Sequence, residues 1–76
     1  MEKSALEELG FRIRTRRKQL GWTQEVLAAN AGLDRSYVGG IERGERNITF
    51  TVLCDIARSL RWDVARLTVD LPETAK

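Results

Sequence analysis

Three glycines, Gly21, Gly32 and Gly44, stand at short and nearly equal intervals along the chain, and Pro72 follows near its end. Glycine readily adopts the left-handed backbone conformation that ends a helix, and proline cannot continue one. Between these residues the apolar side chains recur every three or four positions, which is the spacing of a helix, and almost no stretch alternates as a strand does. The sequence therefore predicts an all-α fold built from several short helices.

Each predicted helix has a serine, threonine or aspartate at its start or just before it, whose side chain can accept a hydrogen bond from the first free backbone amides. Ser4 and Glu7 have the pattern of a capping box, in which the two residues exchange such bonds. The five predicted helices cover residues 4–20, 24–31, 35–43, 49 or 51 to 60, and a short segment after Asp63. Residues 23–43 form two of them, joined by a turn at Gly32, with the dimensions of a helix-turn-helix.

The size and composition of the chain argue against an enzyme. Its 76 residues form one small domain with a thin core, too small for a large enclosed cavity. There is no histidine and a single cysteine, Cys54, which excludes an internal disulfide, the usual zinc sites and a histidine-activated nucleophile. No apolar run approaches the roughly 20 residues of a membrane span, and no signal peptide is present. We therefore expect a cytoplasmic protein with no cofactor, metal or small-molecule ligand.

Positive charge is concentrated in the first predicted helix. The chain carries 13 Lys and Arg against 11 Asp and Glu, a net charge of +2 that is too small to prove a polyanionic partner. The basic run RIRTRRK at residues 12–18 is either a solvated face or the electrostatic footprint of a nucleic-acid binder. Arg17 differs from its neighbours because it lies on the apolar stripe with Ile13 and Leu20. A guanidinium there needs a carboxylate partner, since an unpaired buried charge is very costly.

Residues 20–47, LGWTQEVLAANAGLDRSYVGGIERGERN, resemble the helix-turn-helix of the phage-repressor-like (Xre/Cro) transcription regulators, and within that group the restriction–modification controller proteins. The resemblance is carried by residues 23–25, by Ala28 and Gly32 at the turn, and by residues 35–47, and it extends over about residues 6–68. It implies a lambda-repressor-like five-helix bundle. It also implies the partner of Arg17: Glu42, which follows Ile41 on the inner side of the third helix, is expected to form a buried salt bridge with it.

The resemblance further implies a sequence-specific regulator whose third helix enters the major groove of double-stranded DNA. Arg35 is expected to bind guanine O6 and N7 together, with a phosphate contact or a plain solvated arginine as the alternatives. Ser36 is short enough to serve a base or a phosphate. Tyr37 can bind a phosphate, pack on a thymine methyl group or simply pack at the domain surface.

Further DNA contacts are expected on either side of that helix. Gln24 starts the second helix, where free backbone amides and its own side chain favour a phosphate. Behind the third helix lie Arg43, Arg46 and Asn47, which the sequence alone marks only as polar loop residues. The resemblance puts Arg46 at a base and Asn47 at a phosphate. The paired glycines at positions 39 and 40 are poor helix formers, so another backbone approaches them closely or the segment is a turn.

The apolar residues of segment 61–71 exceed the needs of one short helix and predict a homodimer on a palindromic operator. The predicted interface residues are Trp62, Val64, Leu67 and Val69. Alternatively, Trp62 and Leu67 close the core of the monomer. An activator would also need RNA polymerase as a partner. The rival function is an antitoxin-type or other protein-interaction module for which DNA binding is secondary.

Overall fold

The computed structural model describes residues 4–72, and in that range it contains five α-helices and no strand. The helices are α1 at Ala5–Gln19, α2 at Gln24–Ala31, α3 at Arg35–Glu42, α4 at Phe50–Ser59 and α5 at Val64–Thr68. The predicted all-α fold is therefore confirmed. None of the helices in this range is long and apolar enough to cross a bilayer.

Short polar side chains start the helices as the sequence predicts, with one exception. At α1, Ser4 Oγ accepts from the amide of Glu7 at 3.1 Å, and Glu7 Oε1 accepts from the amide of Ser4 at 2.9 Å. Thr49 rather than Thr51 caps α4, because its hydroxyl accepts the hydrogen bond from the first turn. Asp34 occupies the N-cap position of α3, but its side chain makes no capping hydrogen bond.

The core takes apolar side chains from all five helices, at the positions that the helical spacing marks. Its buried members are Leu9, Ile13, Leu27, Ala28, Val38, Ile41, Leu53, Ile56, Ala57, Leu60 and Leu67. Helix α3 packs against both α1 and α2, while α5 packs against α1 and α4. The inner face of α3 is thus held by two other helices. The single cysteine, Cys54 on α4, is half-buried.

Gly10 allows α1 to approach α3 more closely than any other residue would. A Cβ atom at Gly10 would lie 2.6 Å from the carbonyl oxygen of Glu42 and 2.8 Å from its carbon, and would also overlap the carbonyl of Ile41. These are backbone atoms at the end of α3, so they cannot move aside as a side chain can. Gly10 therefore determines how closely the two helices cross.

Arg17 and Glu42 join the same two helices through a buried, two-point ion pair. Arg17 Nε lies 2.7 Å from Glu42 Oε2, and Arg17 Nη2 lies 3.0 Å from Glu42 Oε1. Arg17 also donates to the carbonyl of Trp22, and Gln24 donates its side-chain amide to Glu42 Oε1 at 3.0 Å. The hydrogen bonds to Glu42 raise the pKa of Arg17 above its ordinary value, with burial opposing them, so the guanidinium stays charged. The structure thus brings together the two residues that the sequence predicts as partners.

Glu42→Gln is expected to lower the free energy of unfolding by about 3–5 kcal/mol, because it leaves the charge of Arg17 buried and without a counter-ion. Chemical denaturation followed by circular dichroism measures this change. Asp55→Asn is the control, since it breaks an exposed pair between Asp55 and Arg58 and should cost no more than about 1 kcal/mol. Equal and small losses in both variants would contradict the assigned importance of the buried pair.

Gly10→Ala is expected to destabilise the fold by about 2 kcal/mol or more through the clash with α3, although alanine favours a helix over glycine by about 1 kcal/mol. The same denaturation experiment measures it. Gly21→Ala serves for comparison: no atom would meet its Cβ, but its φ of +75° is strained for alanine, a cost of about 1 kcal/mol. A Gly10→Ala protein as stable as the unmodified chain would show that α1 and α3 do not need this close approach.

Candidate nucleic-acid interface

The leading end of α3 is exposed while the rest of the helix is held in the core. Arg35 and Ser36 are exposed, Tyr37 is half-buried, and Val38 and Ile41 are buried. Arg35 Nε lies 3.6 Å from a carboxylate oxygen of Glu25 on α2, and both side chains are largely exposed. A pair this loose and this exposed contributes little to stability, so Arg35 can exchange it for another partner at low cost.

Gln24 has a structural role that the sequence did not reveal. Its side-chain amide donates to Glu42, which leaves the second amide hydrogen and the start of α2 for the phosphate contact that the sequence predicts. The same side chain lies beside Gly39, with its Oε1 atom 3.6 Å from where a Cβ of that residue would be. Gln24 therefore connects the start of α2 with both the buried ion pair and the middle of α3.

The arginines behind α3 turn back toward it. Arg43 pairs with Glu45 at 3.1 Å, and both side chains are exposed. The guanidinium carbon of Arg46 lies 5.6 Å from the centre of the Tyr37 ring, a cation–π arrangement. Asn47, also exposed, follows Arg46 in the loop before α4.

The residues predicted to contact DNA thus gather around α3, and we call them the α3 surface. They are Gln24, Arg35, Ser36, Tyr37, Arg43, Arg46 and Asn47. Three of them are arginines, and the carboxylates that pair with Arg35 and Arg43 are themselves exposed. Planar guanidinium groups with weakly held partners suit phosphates and guanine edges. The position of Asn47 is set by the loop before α4, because within residues 4–72 its side chain forms no hydrogen bond to α3.

Two arginines of the basic run in α1 form hydrogen bonds to backbone carbonyls of distant parts of the chain. Arg12 donates to the carbonyls of Leu67, at 3.1 Å, and Val69, at 2.6 Å. Arg16 donates to the carbonyl of Leu60 at 3.0 Å. Arg12 thus ties α1 to the end of α5, and Arg16 ties it to the end of α4. Neither arginine is a plain solvated charge or part of a free basic patch.

Arg14 and Lys18 remain exposed on the same helix. They are the members of the run that can still add a diffuse attraction to a polyanion.

The predicted dimer interface needs one correction. Leu67 is fully buried in the core of its own chain, so it has no surface to offer a partner, and the alternative role of closing the monomer core applies to it. Trp62 is half-buried, and the guanidinium carbons of Arg16 and Arg66 lie 4.9 and 4.8 Å from the centre of its ring. Val64 is half-buried, and Val69 is 58% exposed.

Phe50 is an exposed apolar residue for which the sequence pattern predicted no role. It is the first residue of α4 and is 68% exposed, more than Val69. Helical spacing puts it three residues before the core residue Leu53, so the pattern suggests a buried position. Spacing along one helix cannot show that the first turn of α4 extends beyond the core.

Comparison with known proteins gives a consistent result. A family model described as helix-turn-helix matches residues 13–65. Control protein C.SmaI of Serratia marcescens is 39% identical over 61 residues, which cover 80% of this chain and 73% of that protein.

Two solved structures extend the likeness to the fold. The restriction–modification controller protein C.AhdI from Aeromonas hydrophila is 44% identical with a TM-score of 0.80, over 82% of this chain and 94% of that one. The controller C.Esp1396I, solved as a tetramer with its natural 35 base-pair operator, is 38% identical with a TM-score of 0.78, over 87% of each chain. The matching family is one of transcription regulators and not of enzymes. The resemblance in the sequence is confirmed, and the chain belongs to the Xre/Cro-type helix-turn-helix family, with restriction–modification controller proteins among its relatives.

Proposed function

We propose that this chain is a sequence-specific transcription regulator that binds a palindromic operator in double-stranded DNA as a homodimer. The observation that carries the proposal is that α3 is exposed at one end and fixed to the rest of the domain at the other. Its leading end is exposed, and its far end is held by the Arg17–Glu42 pair and by the close approach of Gly10. A helix held in this way can present side chains to base edges without losing much conformational freedom on binding.

The α3 surface is proposed to make two kinds of contact with DNA, one to base edges and one to phosphates. Arg35, at the exposed leading end, reads a guanine through its planar fork, with Ser36 and Tyr37 beside it. Gln24 and Asn47 hold the phosphate backbone on either side and so set the register of the helix in the groove. Arg43 and Arg46 add positive charge next to the same groove.

The finer proposal is that the regulator controls a restriction–modification operon. It is supported by the likeness to C.SmaI, C.AhdI and C.Esp1396I. A regulator of this kind acts at a promoter, where RNA polymerase is the second partner that it must either exclude or contact. The neighbouring genes test this directly, because a nuclease or methyltransferase gene beside this one is the expected finding.

Arg35→Ala is expected to weaken binding to the preferred operator by about 10- to 100-fold, because a bidentate guanine contact discriminates by about 1–3 kcal/mol. The operator is first selected from a random DNA pool, and affinities are then measured by fluorescence anisotropy on that site and on unrelated DNA. Binding to unrelated DNA should change much less.

Arg58→Ala is the matched control, because Arg58 is an exposed arginine on α4 that pairs with Asp55. It should leave both affinities nearly unchanged. Equal losses on all sequences would reassign Arg35 to a phosphate. The same titrations at rising salt should show a slope of log K against log salt of about −0.9 per phosphate neutralised, and a flat response would exclude DNA as the partner.

The homodimer is proposed to form through segment 61–71, where Val69 offers exposed apolar surface and Trp62 and Val64 are half-buried. Val69→Asp is expected to shift the protein toward monomer in sedimentation at micromolar concentration, because a charge would enter the interface. Operator affinity should fall with it, since each monomer then holds only one half-site.

Phe50→Ser is the matched control, since Phe50 is a comparably exposed apolar residue on α4. It should leave the dimer intact. Dissociation by Phe50→Ser alone would move the interface to the start of α4, and an unmodified protein that sediments as a monomer would contradict the dimer.

A further inference from the structure

The paired glycines of α3 lie under arginine side chains. Gly39 and Gly40 are both helical and buried, so the alternative prediction of a turn at these positions is wrong. A Cβ at Gly39 would lie 3.2 Å from Arg43 Nη1 and 3.6 Å from Gln24 Oε1. A Cβ at Gly40 would lie 2.9 Å from Arg46 Cγ and 3.3 Å from Arg46 Nε. The neighbours of both glycines are thus side chains, not another backbone.

The end of α3 explains how Arg46 comes back to the helix. The amide of Gly44 donates to the carbonyl of Ile41 at 3.0 Å, and the amide of Glu45 donates to that of Gly40 at 2.9 Å. With Gly44 at a φ of +76°, these two bonds form a Schellman motif, which reverses the chain after a helix. Arg46 follows immediately, and its stem passes over Gly40.

Arg46 then extends toward the leading end of α3. Tyr37 and Gly40 are three residues apart, so they lie on one face of the helix, one turn from each other. The stem of Arg46 lies on Gly40, and its guanidinium lies against the ring of Tyr37. Glu45, the adjacent carboxylate in the chain, is paired with Arg43 instead. The positive charge of Arg46 is thereby carried to the end of α3 that the proposed function places in the groove.

Gly39 and Gly40 differ in how much a Cβ atom would disturb the arginine side chain that lies over each of them. At Gly39 the contacting atom is the far end of the Arg43 side chain, which can swing away. At Gly40 it is Cγ, close to the backbone of Arg46, and a methyl group there would displace the whole side chain. Gly40 is therefore the glycine on which the position of Arg46 depends.

We propose that Gly40 and Tyr37 position Arg46 for contact with DNA, Gly40 by leaving a channel for its stem and Tyr37 by holding its guanidinium over the ring. Tyr37 is then a positioning residue whose effect on DNA binding passes through Arg46. This inference rests on the proposed function. Holding a long side chain in place before binding reduces the conformational entropy that binding would otherwise cost.

Nuclear magnetic resonance of the free protein tests the positioning without DNA. The Nε–Hε signal of Arg46 should be shifted upfield by the ring current of Tyr37, and Tyr37→Leu and Gly40→Ala should both move it toward the position of a solvated arginine. Tyr37→Phe keeps the ring and Gly39→Ala spares the stem, so both should leave the signal in place. An Arg46 signal that does not move in Gly40→Ala would overturn the proposal.

A double-mutant cycle on the selected operator tests the consequence for DNA. Arg46→Ala is expected to weaken binding about tenfold, as the loss of a charge-assisted contact should. Gly40→Ala and Tyr37→Leu should each weaken it about fivefold in the unmodified protein, and neither should have a further effect in the R46A background. Thermal unfolding of each variant checks that the fold is retained.

The outcomes separate this inference from the proposed function. An equal loss from Gly40→Ala in both backgrounds would show that DNA itself approaches the helix backbone there, and would overturn the role of Arg46. No loss in the unmodified protein would overturn it as well. If the unmodified protein binds no DNA at all, the proposed function fails, while the resonance signal of Arg46 still decides whether Gly40 and Tyr37 position it.

Discussion

The buried pair of Arg17 and Glu42 is the interaction on which the arrangement of the helices depends. It connects α1 with the end of α3 through two short hydrogen bonds, and it also engages Trp22 and Gln24 around the start of α2. Buried charges are costly when they are separated, so any rotation or sliding of α3 that parts them is strongly disfavoured. In residues 4–72 no buried side-chain polar atom lacks a hydrogen-bond partner, which is what such a pair requires. Gly10 makes the pair possible by letting the backbones of α1 and α3 come close.

The exposed and buried parts of α3 therefore behave differently. The inner face is fixed by apolar packing and by Glu42, whereas the leading end carries side chains in loose or solvent-exposed contacts. Stability is concentrated on one side of the helix, and the other side keeps polar groups that can exchange water or a nearby carboxylate for a new partner.

Local features of the sequence were sufficient for the helices, but for the buried pair they were sufficient only to show that Arg17 needs a partner. Spacing and capping residues predicted the five helices, and Arg17 on an apolar stripe demanded an anion, which the family resemblance supplied as Glu42. Contacts between distant segments were not predictable in this way. A basic run looks the same whether its arginines are solvated or, like Arg12 and Arg16, bound to backbone carbonyls more than forty residues away. Similarly, a surplus of apolar residues near the C-terminus could not be divided between the core, where Leu67 lies, and the surface.

The contacts between α1 and the C-terminal segment affect which spacing between two DNA half-sites a dimer of this chain would accept. Arg12, through the carbonyls of Leu67 and Val69, and Arg16, through the ring of Trp62, connect the segment proposed for self-association to the same helix that anchors α3. In a two-fold assembly the distance between the two copies of α3 would then be fixed by the protein, because no flexible linker would lie between α3 and the interface. Such an assembly would tolerate changes within each half of its site better than one extra base pair between the halves, which would shift them by about 3.4 Å and rotate them around the duplex axis.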